Sequence, residues 1–323
     1  MGGQTILVDS LRPDPTTDQT QGARERHPEA GIMSKPKGDR VPMIPYEKLY
    51  IYEIDGEIRA DDKTFPPEYI GTWWEGGHSF IFFSHEHEQL IQSLLTGDPS
   101  LHLVDRFAMD YRDWQAGEEI VPFRVGRIVF VPPWEKAETS PDETVIFLDP
   151  SVVFGTGLHP TTRSCLEALR RLYQEDCPRT VIDLGTGTGI LALACAKLGA
   201  ERILAIDHNP LAVKTATRNV SLNGENNRIR VIRGSAEDLI SEDADLVCCN
   251  LHYQVLDRLL SVESFFEKRW SVLSGFFERE QHGLVQRLLE RGVHVRVIPC
   301  RGPWQTLMGL HPSYSVHASA LTS

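Results

Sequence analysis

The 323-residue sequence lacks any apolar run long enough to cross a bilayer, and it opens on a polar stretch with nothing of signal-peptide type, so a membrane role is not expected and the expected location is the cytoplasm. Cysteine is sparse: Cys165, Cys177, Cys195, Cys248, Cys249 and Cys300 form no C-x-x-C pair. That spacing argues against a zinc knuckle or a dithiol redox centre, and no metal site is expected. Basic residues are scarce in one place. Residues 43–140 hold 18 acids against 8 bases, whereas 1–42 balance and 141–323 differ by only two, so this middle segment carries nearly all of the net charge of −12. A surface that acidic repels phosphate backbones and attracts basic partners; direct nucleic-acid binding is therefore disfavoured, although solubility alone would also account for the charge. Finally, the glycine-rich stretch at 185–189 lacks the third glycine of a dinucleotide fingerprint, because Ile190 stands where it would fall.

What is present divides the chain. At 41% hydrophobic and 24% charged, the composition is that of a soluble globular protein with length enough for two cores. Residues 1–42 are rich in Pro, Gly, Asp, Thr and Arg without apolar periodicity and are expected to be disordered; Met33 is a candidate alternative start. Residues 43–140 read as a small α+β module, with strands at Leu49–Ile54, Ser79–Phe83 and Phe123–Val131 and a helix at Glu88–Leu95. From 141 to 323, short apolar strands alternate with amphipathic helices: Thr180–Leu184, Arg202–Asp207, Arg230–Arg233, Asp245–Asn250 and Val272–Phe276, each but the third followed by helical spacing. This predicts a parallel sheet covered on both faces. Val293–Pro299 and Trp304–Leu310 leave no room for a crossover helix and should pair as an antiparallel hairpin.

Four loops carry chemistry. In Val181-Ile182-Asp183-Leu184-Gly185-Thr186-Gly187-Thr188-Gly189, a β-branched strand ends at an acid and three alternate glycines lead into an apolar helix. Glycines let backbone amides approach a ligand, and the helix start offers a positive end. With G-x-G-x-G spacing the reading moves from a dinucleotide towards S-adenosylmethionine (AdoMet). Asp207, at the tip of the next strand, can accept hydrogen bonds from both ribose hydroxyls, the alternative being a cap for the helix opened by His208-Asn209-Pro210. Ser235-Ala236-Glu237-Asp238 would pass the adenine, Ala236 offering an amide and a small surface, with Glu237 or Asp238 equally able to cap. Asn250-Leu251-His252-Tyr253 should face the reactive methyl: Asn250 and neighbouring carbonyls can orient an amine in line with the methyl–sulfur bond, His252 can take a proton, and Tyr253 can offer a π face to a cation. Upstream, Phe154-Gly155-Thr156-Gly157-Leu158-His159-Pro160-Thr161-Thr162 reads as a shaped loop with a helix cap, either a lid or a domain-joining turn, with Phe154 and Thr156 its leading contacts.

At these residues the chain resembles the ribosomal protein L11 methyltransferases (PrmA type). The resemblance rests on Asp149-Pro150, the Phe154–Thr162 stretch, the Asp183–Gly189 loop, Asp207 and Asn250. It extends upstream to Asp113-Trp114, Pro122–Arg127 and Pro133-Trp134-Glu135 and downstream to Leu273–Phe276, about residues 46 to 310 in all. It implies a Rossmann-like, seven-stranded class I methyltransferase domain behind a small substrate-gripping α+β module. It also implies AdoMet as cofactor and methylation of lysine or N-terminal amines on a basic ribosomal protein. The candidate cofactor contacts are Phe154, Thr156, Thr162, Asp183, Gly185, Thr186, Gly187, Gly189, Asp207, His208, Ala236 and Asn250; the candidate catalytic residues are Asn250, His252 and Tyr253. Two departures stand out. Leu158 replaces the usual threonine, and Leu251-His252-Tyr253 replaces the usual Ile-Leu-Ala, on the acceptor side. The family's flexible linker is also hard to find, since Pro141 to Asp149 is short and partly apolar. The alternatives are the same fold acting on another protein or small-molecule amine, and an AdoMet-binding protein without catalysis.

Overall fold

The computed structural model describes residues 46–58, 64–115 and 119–312. The segment 1–42 and Met33 lie outside them. The first described unit is an antiparallel sheet in the order β2-β3-β1-β4, from β1 (Lys48–Asp55), β2 (Tyr69–Glu75), β3 (His78–Phe83) and β4 (His102–Asp110). Two of its strands, β2 and β4, are absent from the sequence-based reading. β2 is interrupted by Gly71, and β4 mixes charges through an exposed edge, so neither shows clean alternation. Helix α1 (Glu88–Gly97) covers one face through Ile91, against Tyr52, Ile54, Ile81 and Phe83. The other face carries Leu49, Ile51, Phe80 and Phe82. The short helix α2 (Tyr111–Trp114) follows.

The stretch expected as one strand over Phe123–Val131 is a hairpin instead. β5 (Phe123–Val125) and β6 (Ile128–Val131) pair antiparallel about Gly126, whose φ of +57° turns the chain, and β6 pairs in parallel with β7 (Thr144–Phe147). The segment with no visible linker is thus a strand. It is strapped to α5 (Pro210–Leu222) and the residue beyond it. The Phe147 amide donates to Asn223 at 2.9 Å, the Asp149 amide donates to Asn219 at 2.8 Å, and both side-chain amides donate back to the carbonyls of the same two residues.

The third sheet has seven strands in the order β10-β9-β8-β11-β12-β14-β13. These are β8 (Thr180–Leu184), β9 (Arg202–Asp207), β10 (Ile229–Arg233), β11 (Leu246–Asn250), β12 (Trp270–Phe277), β13 (His294–Ile298) and β14 (Trp304–Leu310). β10, β9, β8, β11 and β12 run parallel, and β14 is antiparallel to both β12 and β13, as the short final connection requires. Helices α3 (Pro160–Glu175) and α4 (Ile190–Leu198) cover one face; α7 (Tyr253–Leu259) and α8 (Glu278–Glu290) cover the other, joined by the single turn α6 (Ala236–Leu239). α4 is apolar on nearly every side because it lies between the sheet and α3, with Ile190 to Ala196 all buried. Among the described residues no helix is long and apolar enough to cross a membrane, and no three His, Cys, Asp or Glu converge on a metal-sized site. All six cysteines are free thiols.

Away from the loop end of the sheet, His311 is wholly buried, with Nε2 3.0 Å from Ser271 Oγ and its ring among Phe265 and Phe266. Burial pushes its pKa down to about 4, only partly offset by the Phe266 carbonyl. A depressed folded pKa gives stability that is present above the unfolded pKa and lost as pH falls towards the folded one, here between about 6.5 and 4. The stability advantage of the wild type over His311→Asn is therefore expected to shrink by about 2 kcal/mol between pH 7 and pH 5. Urea unfolding at the two pH values checks this; an unchanged difference refutes it.

Candidate functional site

Asp183, one residue before the end of strand β8, is buried. Its Oδ2 accepts from the Thr186 hydroxyl at 2.6 Å and from the Ala192 amide at 3.2 Å, tying the glycine loop to the first turn of α4. Burial, reinforced by the charge of Asp207, pushes the Asp183 pKa up to about 6 against these two donors. Gly185, Gly187 and Gly189 have φ of +70°, +55° and +83°, a backbone region that side-chain-bearing residues rarely occupy. At Gly187 a Cβ would also strike the Phe154 carbonyl.

The lid stretch lies directly on this loop. The Thr188 amide donates to the Phe154 carbonyl at 3.2 Å, and the Thr188 hydroxyl donates to the Gly155 carbonyl at 2.8 Å. Gly155 and Gly157 both take positive φ. Thr156 accepts the Leu158 amide at 3.2 Å, and His159 caps α3 by accepting the Thr161 amide, ahead of Pro160. The Phe154 side chain is half exposed.

Asp207 is buried at the tip of β9. Its Oδ2 accepts the Gly187 amide at 3.0 Å, so the acid and the glycine loop are fastened together, and Oδ1 accepts the Asn209 amide at 3.0 Å. The helix cap is Asn209, whose side chain accepts from Leu211, so Asp207 is left to the loop. Burial raises the Asp207 pKa, and the amides of Asn209 and Gly187 pull it back. His208 is exposed, with Nδ1 3.6 Å from Asp207. Ala236 is half-buried at the start of α6. That turn is capped by the Ser235 hydroxyl, while Glu237 is paired with Arg258.

Asn250 ends β11, level with Ser274 of β12. Its Nδ2 donates to Thr162 Oγ at 3.4 Å, and its Oδ1 is buried with no hydrogen-bond partner. An unpartnered buried carbonyl costs roughly 1–3 kcal/mol, so one retained at the loop end of a sheet is an acceptor waiting for a donor. His252 is exposed and caps α7. Tyr253 packs with the partly buried residues of the second core, its hydroxyl close to Gly283 of α8.

The same end of the molecule carries a row of rings that sequence reasoning misses. Phe154 meets His159 edge-on at 5.2 Å, His159 meets Trp304 at 4.8 Å, and Trp304 stacks on Phe277 at 4.2 Å, with the Arg279 guanidinium 5.1 Å from the Phe277 ring. Their positions at the end of β12 and the start of β14 could be inferred only from the antiparallel pairing of those strands. Thr188 and Asn219 escape for a similar reason: their partners are 31 to 70 residues away.

A family model described as ribosomal protein L11 methyltransferase (PrmA) matches residues 79–311. Among curated relatives, ribosomal protein L11 methyltransferase of Clostridium perfringens is 34% identical over 195 residues, 58% of this chain and 60% of that one. The protein of the same name from Alkaliphilus oremlandii is 33% identical over 210 residues, 64% of this chain and 66% of that one. The match thus spans somewhat under two thirds of the curated relatives' length. The crystal structure of ribosomal protein L11 methylase from Lactobacillus delbrueckii subsp. bulgaricus superposes with a TM-score of 0.53 at 28% identity, over 59% of this chain and 98% of that one. The seven-stranded sheet with its one reversed strand, β14, the glycine loop, and a family match over 233 consecutive residues lead to one conclusion: this chain belongs to the ribosomal protein L11 methyltransferase (PrmA) family.

Proposed function

We propose that this protein is an AdoMet-dependent protein N-methyltransferase that modifies amino groups, lysine side chains or an N-terminus, of a basic ribosomal protein in the cytoplasm. The observation that carries the reading is the Asn250 amide, anchored on one side by Thr162 and buried without a partner on the other. The residues fit the cofactor. At Gly185 and Gly187 a Cβ would strike Leu251 and the Phe154 carbonyl, and Asp207 stands beside the loop at the strand tip where a ribose is held in sheets of this type. Asp183, Thr186 and the loop amides would hold the amino-acid end, His208 and Ala236 the nucleoside end, and Phe154, Thr156 and Thr162 the lid side. Bound there, AdoMet supplies an electrophilic methyl group on a sulfonium.

The chain's own task is alignment. Thr162 takes the Asn250 N–H, which leaves Oδ1 to accept an N–H from the incoming amine and direct its lone pair. The amine must arrive neutral. His252 Nδ1 accepts the Gln254 amide at 3.5 Å, so the neutral ring carries its hydrogen on Nε2, and Nδ1, on giving up that long cap bond, is the atom that would receive the released proton. Phe277, Trp304 and Phe154 present π faces that suit the stem and charge of a lysine. The acidic segment at 43–140 complements a basic partner and would repel nucleic acid. The Leu251-His252-Tyr253 departure favours, as a second reading, an amine acceptor on another protein or a small molecule.

Incubation with labelled AdoMet and purified ribosomal protein L11 tests the proposal. Label on amines of that protein is expected; label entering only another acceptor refutes the substrate, and absence of AdoMet binding by calorimetry refutes the whole reading. Asp207→Ala should weaken AdoMet binding by roughly 10- to 100-fold, about 1.4–2.8 kcal/mol, through the lost ribose contacts and a loosened Gly187 amide. Unchanged affinity would exclude the ribose role.

A further inference from the structure

Helix α5 has two tasks. It is entered through the turn Asp207-His208-Asn209, and its flank is the seat of the small antiparallel sheet. Leu211 and Ala212 are both buried in one core with Ile70, Phe80 and Phe82 of that sheet and with Val152 and Val153. Gly71 of β2 sits so close to Leu211 that a Cβ there would run into the leucine side chain. Further along the helix, the Lys214 ammonium lies 4.4 Å from the Tyr69 ring, and Arg218 pairs with Asp149 at 2.9 Å. The Tyr111 hydroxyl donates to the Ser151 carbonyl at 2.6 Å, closing the seam.

The turn itself is held from outside by the same sheet. Asn209 is fully buried, and its Nδ2 donates to the Trp74 carbonyl of β2 at 3.3 Å while its Oδ1 caps Leu211 and its backbone amide holds Asp207. Arg233 Nε donates to the His208 carbonyl at 3.1 Å, and the same guanidinium lies 3.8 Å from Glu57, just past β1.

We propose that the small sheet is a fixed wall of the nucleoside end of the site, with Gly71 and the Trp74 carbonyl positioning the Asp207–Asn209 turn, so that packing of the small sheet and affinity for the cofactor are coupled. The proposal rests on the reading of Asp207 as the ribose-holding acid. Asn209 ties the turn to β2 directly: displace β2 and the amide loses its Trp74 acceptor, leaving a buried donor that can be satisfied only if the turn moves. Because Gly71 has no positive φ, a substitution there acts through its contact with Leu211 and not through backbone strain.

The test is a double-mutant cycle of Gly71→Val and Leu211→Ala in the full chain, with two readouts. The first is affinity for S-adenosylhomocysteine by calorimetry. The second is hydrogen exchange of the Asn209 and Leu211 amides without ligand, against the amides of β11 and β12 as reference. Gly71→Val is expected to weaken binding about tenfold and to speed exchange about tenfold in the turn but not in β11 or β12; with Leu211→Ala added, both should return to within about threefold of Leu211→Ala alone. Values for Gly71→Val within about twofold of wild type, acceleration shared equally by β11 and β12, or no recovery in the double variant would overturn the proposal. Should Gly71→Val fail to fold, Gly71→Ala in the same cycle reads the same contact with a smaller effect. If the turn's exchange follows the cycle in a protein that binds no S-adenosylhomocysteine, the positioning stands and the functional reading of Asp207 falls.

Discussion

Gly187→Val is expected to abolish cofactor binding and to lower stability by about 3–5 kcal/mol. Two independent costs combine. A φ of +55° is unfavourable for any side-chain-bearing residue and worst for a β-branched one. In addition, the new Cβ would meet the Phe154 carbonyl, the atom that accepts the Thr188 amide. That carbonyl is backbone on a loop held at both glycines, so it cannot swing aside as a side-chain end would. Relief requires the lid to lift from the loop, and the lid is the roof of the proposed cofactor site. Gly224→Val is the control: its φ is +68°, and nothing lies within 4 Å of the Cβ position. It should cost only the strain, about 1–2 kcal/mol, and leave affinity unchanged. Denaturant unfolding and calorimetry on both variants check this. Equal losses in the two would show that the contact with Phe154 contributes nothing.

The second large effect belongs to turnover. If Asn250 orients the acceptor while the glycine loop and Asp207 hold the cofactor, as proposed, Asn250→Ala should lower kcat by on the order of 10²–10³ while AdoMet affinity stays within a few-fold. Thr162→Val keeps the amide but removes its anchor, so the side chain is free to rotate; a loss of about tenfold in kcat is expected. Comparable kcat and affinity losses in Asn250→Ala would mean that Asn250 holds cofactor and not acceptor.

Much of this could be read from the residues in order. Val181-Ile182-Asp183 followed by three alternate glycines reports a strand, a close approach and a helix start within one short window, and all three are there. Asp207, Asn250 and the final hairpin follow because strand tips and connection lengths are local properties. The readings that went astray were also local. Gly126 was taken as part of a strand, although its φ makes it a turn, and β2 and β4 are hidden by Gly71 and by an edge that alternates poorly. The aromatic row escaped because Phe277 and Trp304 are each unremarkable where they stand in the chain, although Phe154 stands out within its own loop.

The glycine loop, the acid at 207 and the amide at 250 are thus determined by sequence alone, since each is set by backbone conformation and hydrogen-bonding type over a few residues. What the tertiary structure decided is what these groups face. Asn250 has one oxygen left open because Thr162, 88 residues earlier, takes its other end, and the Asp207 turn is braced by Trp74, 135 residues before Asn209. The segment at 141–149 is the clearest case. Residues 144–147 look like a short connection in sequence and prove to be a strand, because β6 pairs with them in parallel, while Asn223 and Asn219 of the α5 end hold Phe147 and Asp149 by their backbone groups. Such pairings depend on where separate elements come to rest, and chain order carries no record of that.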